Sequence, residues 1–163
     1  MPFNVVLVAP EIPHNTGNII RLCANTGARL HLVKPLGFEL TKKALRRAAL
    51  DYQHLVDVTI HETIDSLINI VDIERTFVTT SGGEARYDQM AYKDGDTVIF
   101  GSESVGLPVD LLERFPDERT LGIPMMSANR SINIANAVSI VVYEMWRQQS
   151  FLGASVQPRQ YYS

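Results

Sequence analysis

NVVLVAPEIPHNTGNIIRLCANTGARLHLV, residues 4–33, is the stretch from which the fold can be read. Asn4 to Ala9 is a run of β-branched and apolar residues without polar alternation, the pattern of a strand covered on both faces. A turn with two prolines follows, and then Ile19, Ile20, Leu22 and Cys23 recur at helical spacing as far as Gly27. Asn15 or Thr16 is the expected N-cap of that helix and Gly27 its stop. Leu30 to Val33 is a second apolar strand, closed by Pro35 and Gly37. Strand, helix and strand in so short a span make a crossover unit, which joins parallel strands.

The same alternation continues along the chain. Thr41 is a plausible cap for a helix through Leu50, with Lys42, Lys43, Arg46 and Arg47 on its polar side. Leu55–Ile60 reads as a strand, Glu62–Val71 as a helix, and Thr76–Thr79 as a strand ending in Ser81-Gly82-Gly83. Asp94-Gly95 turns into a strand over Thr97–Phe100, and Pro108 opens a short helix, Val109–Phe115. Arg119–Ile123 gives one more strand, and a long helix runs from Ser131 to Gln149. The expected fold is α/β, a mainly parallel sheet flanked by helices. Residues 1–152 form a single domain and residues 153–163 a C-terminal tail.

Composition narrows the function classes. The chain has 163 residues, 45% of them hydrophobic, enough to bury a core. Lys and Arg total 15 against 18 Asp and Glu, which excludes a polycation held to nucleic acid by non-specific phosphate contacts. The net charge of −3 hides an asymmetry. Residues 1–50 carry seven basic and two acidic side chains, whereas residues 51–163 carry eight basic and 16 acidic. The first segment can present a local anion-binding face. A single cysteine, Cys23, forms no internal disulfide, and no Cys/His cluster has metal-ligand spacing, so no metal is expected. The N-terminus lacks the basic region of a signal peptide. Ile132–Trp146, the longest apolar stretch, is too short and too polar to cross a bilayer. The expectation is a soluble, cytoplasmic protein without a membrane partner.

Chemistry in a parallel sheet collects beyond the C-terminal ends of the strands, and three loops there have unusual composition: Pro10–Asn18, Gly101–Pro108 and Ile123–Ala137. Gly101-Ser-Glu-Ser-Val-Gly106 has the glycine spacing of a P-loop but carries Leu107 where the lysine belongs, and G-x-G-x-x-G is absent. Nucleotide hydrolysis and NAD binding therefore lose their best support. The glycines around Glu103 could serve a turn or bring the backbone close to a flat ligand. In the third loop Asn129 or Ser131 is the expected helix cap, while Asn133 and Asn136 lie three apart on a largely apolar helix. Buried amides there need a loop, a ligand or a second subunit as partner. A helix apolar nearly all round favours a homodimer. No serine sits in a G-x-S-x-G elbow, and His14, His31, His54 and His61 are scattered without metal spacing.

PEIPHNTGNIIRLCANTGARLHLVKPLGF (10–38), LRRAALDY (45–52), FGSESVGLP (100–108) and IPMMSANRSINIANAVSIVVYEMWRQ (123–148), in this order, resemble the SPOUT superfamily of RNA methyltransferases. The resemblance is strongest to the small bacterial tRNA 2′-O-methyltransferases that modify the wobble nucleotide, cytidine or carboxymethylaminomethyluridine. It implies a C-terminal trefoil knot, S-adenosyl-L-methionine (AdoMet) as methyl donor, an obligate homodimer, and the tRNA anticodon stem-loop as partner. It also implies a donor pocket made by Val78, Thr79, Gly101, Glu103, Ile123, Met125 and Ser131. Arg21 is implied as the RNA-binding and catalytic arginine, with Asn133 and Tyr143 in supporting roles at the active site. Ser102 and Val105 stand where the GPETRG version of the loop has Pro and Arg. The competing readings are a ribosomal RNA ribose methyltransferase of the same superfamily and a non-catalytic RNA-binding module.

Methyl transfer from a sulfonium to a ribose hydroxyl is an in-line displacement, so positioning supplies much of its acceleration. A guanidinium hardly deprotonates, so Arg21 is assigned chiefly to gripping a phosphate and orienting the ribose. The hydroxyl proton leaves to solvent or to a transiently deprotonated Arg21. Lys42, Arg46 and Arg47 are assigned to the anticodon stem, together with Lys43, Arg29 and Lys34. Neutralising Arg46 and Arg47 together should weaken tRNA binding and flatten its logarithmic salt slope by about 1.5, read from affinities across a salt series. An unchanged slope would remove these two residues from the RNA contact.

Overall fold

A computed structural model describes residues 3–41 and 58–155. The predicted helix beyond Thr41, with Lys42, Lys43, Arg46 and Arg47, lies outside the described residues, as do Leu55–Asp57 of a predicted strand and the tail from residue 156. The strands are β1 (Asn4–Val8), β2 (Arg29–Val33), β3 (Val58–His61), β4 (Thr76–Thr79), β5 (Ala85–Arg86), β6 (Thr97–Phe100) and β7 (Thr120–Gly122). The helices are α1 (Pro13–Thr26), α2 (Ile64–Ile68), α3 (Val109–Leu112) and α4 (Ile134–Gln148).

All seven strands join one parallel sheet in the order β3-β2-β1-β6-β4-β7-β5. β1 is central because its residues are covered from both sides, as the unbroken apolar run demands. Val5 and Leu7 enter one core with α1 and α4, while Val6 and Val8 enter a second with α2 and α3. β1 is in register with β2 from Asn4↔Arg29 to Val8↔Val33 and with β6 from Asn4↔Thr97 to Leu7↔Phe100. The chain leaves β1 for β2 on one side and later returns to β6 and β4 on the other. Strand order therefore reverses at β1, which opens a crevice above its C-terminal end.

Several boundaries differ from those read in the sequence, each for a local reason. α1 starts at Pro13, whose missing N–H costs nothing in a first turn, so Asn15 and Thr16 lie inside the helix rather than capping it. Gly27 ends it as expected, in the left-handed region at φ 75°. α2 is one short segment closed by a reciprocal Thr63–Ser66 capping box. α3 stops at Leu112; Pro116 disfavours helical geometry for the residue before it. α4 begins at Ile134 and is capped by Asn133, whose Oδ1 accepts from the N–H groups of Ala135 and Asn136. Neither Asn129 nor Ser131 is the cap. Asn133 and Asn136 are exposed in the protomer, so the expectation of two buried amides fails. β5, two residues long, carries too little pattern to be read in advance. None of the described helices is long and apolar enough to cross a membrane.

β7 slots between β4 and β5, and its backbone runs against the loop after β4. A Cβ on Gly83 would stand 2.2 Å from the Leu121 carbonyl carbon and 2.3 Å from the Gly122 nitrogen. Backbone cannot yield there as a flexible side chain could. Gly83→Ala should therefore cost roughly 3 kcal/mol in urea unfolding, whereas Gly82→Ala, with nothing within 4 Å, should stay within about 0.5 kcal/mol. Equal effects of the two substitutions would contradict this close approach.

Candidate functional site

The loops beyond β1, β4, β6 and β7 surround one cleft of about 620 Å³, a volume suited to a ligand of nucleoside size. Its walls combine apolar residues, among them Leu112, Ile123 and Met125, with the hydroxyl-bearing Thr79, Thr80, Ser81, Ser102, Ser104 and Ser131. Among the described residues no group of three or more His, Cys, Asp or Glu side chains could hold a metal ion.

The loop after β6 folds back on itself. The N–H of Ser102 donates to the Gly106 carbonyl at 3.1 Å, and the N–H of Gly106 donates to the Ser102 carbonyl at 3.0 Å. Gly106 takes φ 72°, and a Cβ on Gly101 would lie 2.1 Å from the Gly106 carbonyl carbon. These glycines permit a closed turn; the close approach at Gly101 is to its own loop. The turn projects Glu103, Ser104 and Val105.

Glu103 lines the cleft, yet its carboxylate is turned to the start of α1. Oε2 accepts from the N–H of Glu11 at 2.8 Å, and Oε1 accepts from the N–H of Ile12 at 3.1 Å and from Asn15 Nδ2 at 3.2 Å. α1 has no capping side chain of its own; Glu103, some 90 positions later, instead holds the two N–H groups just before the helix and the Asn15 side chain in its first turn. A negative charge at this end also meets the positive pole of the helix. Asn15 passes the chain of bonds onward, its Oδ1 accepting from Asn133 Nδ2 at 3.0 Å. Three loops distant in sequence are thereby tied at Glu103, Asn15 and Asn133. Burial pushes the Glu103 carboxyl up, but the bonds from Glu11, Asn15 and Ile12, with one from its own backbone, outweigh burial and hold it below the ordinary carboxylate range.

Of the residues expected around a donor, Thr79, Gly101, Glu103, Ile123, Met125 and Ser131 line the cleft. Val78 does not: it is fully buried in the core beside α2 and α3. Asn133 lines the cleft as the cap of α4. Tyr143 is exposed three turns along that helix, with its ring 5.8 Å from that of Trp146. Arg21 is exposed on α1, about 9 Å along the axis from Asn15. Lys42, Arg46 and Arg47 fall outside the described residues. Sequence reasoning treated Asn15 only as a cap and passed over Thr80, Ser81 and Ser104. A polar residue buried on the apolar side of α1 was the available signal for Asn15, which is 6% exposed.

Comparison with known proteins adds the kinship. The model of the SpoU rRNA Methylase family matches residues 2–143. A tRNA (cytidine(34)-2′-O)-methyltransferase of Burkholderia ambifaria is 51% identical over 155 residues, covering 94% of this chain and 99% of that protein. A solved structure described as giving insights into the 2-OH methylation of C/U34 on tRNA superposes with a TM-score of 0.82 at 40% identity, covering 91% of this chain and 97% of its own. The SpoU methyltransferase AviRb of Streptomyces viridochromogenes, solved with AdoMet, shares the fold at a TM-score of 0.77 and 22% identity, covering 90% of this chain and 57% of its own.

Because the folded-state pKa of Glu103 is lowered, its stabilising contribution is complete above the unfolded value, near 4.3, and is lost as pH falls through the lowered value. Glu103→Gln should cost about 2 kcal/mol in urea unfolding at neutral pH. The gap to the parent protein should stay level from pH 8 to about 5 and close below about 4. A gap unchanged at pH 3 would contradict a charged acceptor at Glu103.

Proposed function

We infer the reaction from kinship and cleft together, beginning from this: the chain belongs to the SpoU rRNA methylase family. It is an enzyme that methylates the ribose 2′-oxygen of nucleotide 34 of tRNA, the activity named for relatives about half identical to it. Those relatives align over almost their entire length, so the likeness extends to the complete enzyme. Neither ribosomal RNA as substrate nor a non-catalytic module is favoured beside relatives of that identity.

The methyl donor is AdoMet, and the cleft fits it. Apolar walls around Ile123 and Met125 suit a flat adenine. The hydroxyls of Thr80, Ser81 and Ser131 suit a ribose and an amino-acid end. When bound, the donor supplies an electrophilic methyl group on a sulfonium sulfur. Arg21 then holds a phosphate beside the target nucleotide and orients its ribose, a task suited to a planar two-pronged cation. Asn133, fixed by its bond to Asn15, borders the place where ribose and donor meet. Val78 supports β4 from the opposite core, and its side chain is turned away from the cleft.

Three further assignments belong to this reading. The enzyme works in the cytoplasm, where tRNA is modified. It acts as a homodimer that brings Tyr143 to the active site; exposed Tyr143, Phe151 and Leu152 around the end of α4 support this. The polypeptide from β4 to α4 forms a trefoil knot, supported by the insertion of β7 between β4 and β5 and by the packing of α4 back against α1. The anticodon stem lies along the basic segment that includes Lys42, Arg46 and Arg47.

The close likeness to tRNA methyltransferases over a cleft of the right size carries the reading. Its test is transfer of labelled methyl from AdoMet to total tRNA lacking the modification. Incorporation into tRNA is expected, and none into ribosomal RNA; the reverse would overturn the substrate. Arg21→Lys should lose at least tenfold in turnover while AdoMet affinity by calorimetry stays within about twofold. Unchanged turnover would remove Arg21 from the chemistry.

A further inference from the structure

Glu11 sits where three functional segments converge. Its N–H donates to Glu103 Oε2 at 2.8 Å, and its carboxylate Oε1 accepts from Ser104 Oγ at 2.5 Å. Two neighbouring residues of the cleft loop thus hold one residue of the loop before α1, one by its backbone and the other by its side chain. On its other side the Glu11 backbone presses on the turn after β2. The N–H of Gly37 donates to the Pro10 carbonyl at 2.9 Å, and a Cβ on Gly37 would stand 2.7 Å from the Glu11 Cα. That turn leads toward the basic residues Lys42, Arg46 and Arg47.

We infer that Ser104 and Glu11 are positioning residues for methyl transfer: their hydrogen bond clamps the cleft loop to the segment that sets the start of α1, and so fixes the donor relative to Arg21. The inference rests on the methyltransferase reading above. The Glu103 bonds reach backbone N–H groups and Asn15 from a single side chain, and the Ser104 bond adds a second attachment one residue further round the turn. A second attachment restrains the two loops further, and in-line transfer is sensitive to small displacements. The clamp lies at the surface, so its contribution to global stability is small.

A double-mutant cycle tests this in the full-length enzyme. Ser104→Ala removes the donor, and Glu11→Ala removes the acceptor while keeping the N–H that Glu103 needs. Each should lower kcat by about threefold to tenfold, with the thermal midpoint and the KM for tRNA nearly unchanged. Ser104→Thr, which keeps the hydroxyl, should restore kcat. The double variant should be no slower than the slower single, because both substitutions cut one bond. Multiplying effects would overturn the clamp, since Ser104 would then act on the donor independently of Glu11; so would unchanged kcat in Ser104→Ala. Failure of the parent enzyme to methylate tRNA would instead refute the underlying reading.

Discussion

A carboxylate that pins the entry to a helix from far away is the interaction around which this site is organised. The segment leading into α1 presents the N–H groups of Glu11 and Ile12, and Glu103 supplies their acceptor from the loop beyond β6. Leaving such groups unpaired would cost on the order of 1–3 kcal/mol each if they were buried. The bond network therefore does more than stabilise. It fixes the helix that carries Arg21 against the loop that walls the cleft, and through Asn15 it reaches the N-cap of α4. Two helices on one face of the sheet are joined at their starts through Glu103 and Asn15.

The sheet supplies the second constraint. Its central strands β1, β6, β4 and β7 end side by side, so their loops share a rim without any one of them being long. Crowding follows, and glycine absorbs it. At Gly83 the chain passes the β7 backbone within a distance no Cβ would allow, and at Gly101 the cleft loop passes its own return. Ionisable chemistry is thin at this rim, where Glu103 is the one acid or base among the lining residues. A reaction that depends on holding two substrates in line needs few perturbed acids or bases, and the closely packed backbone supplies the rigidity that positioning requires.

The elements with strong local signals were legible in the sequence. The apolar run of β1, the periodicity of α1 ending at Gly27, and the strands over Leu30–Val33, Thr76–Thr79 and Thr97–Phe100 follow from spacing and residue type alone. Parallel pairing followed from their alternation with helices. Cap identity was not legible, because a cap is a tertiary choice. Asn15 looks like a capping residue, but the helix starts before it at Pro13, and its amide bridges Glu103 to Asn133 instead. Asn133, read as a buried amide within the helix, is instead its exposed cap. Most of the expected donor pocket came from resemblance and falls along the cleft wall. Val78 is the exception, since alternation along β4 turns its side chain to the other core.

An acidic chain that modifies RNA is less odd once charge is placed on the fold. Acidic residues crowd the elements beside α2 and α3, with Glu62, Asp65, Asp110, Glu113 and Asp117 among them, whereas α1 carries no acid at all. Such a distribution favours approach of a polyanion from the α1 side, the side on which the proposed reading places Arg21. Methylation of a single ribose oxygen is read out by alkaline cleavage of modified tRNA, because cleavage at each linkage needs a free 2′-hydroxyl. One new gap is expected in the ladder, at nucleotide 34. A ladder without a gap although methyl is incorporated, or a gap at another nucleotide, would contradict it.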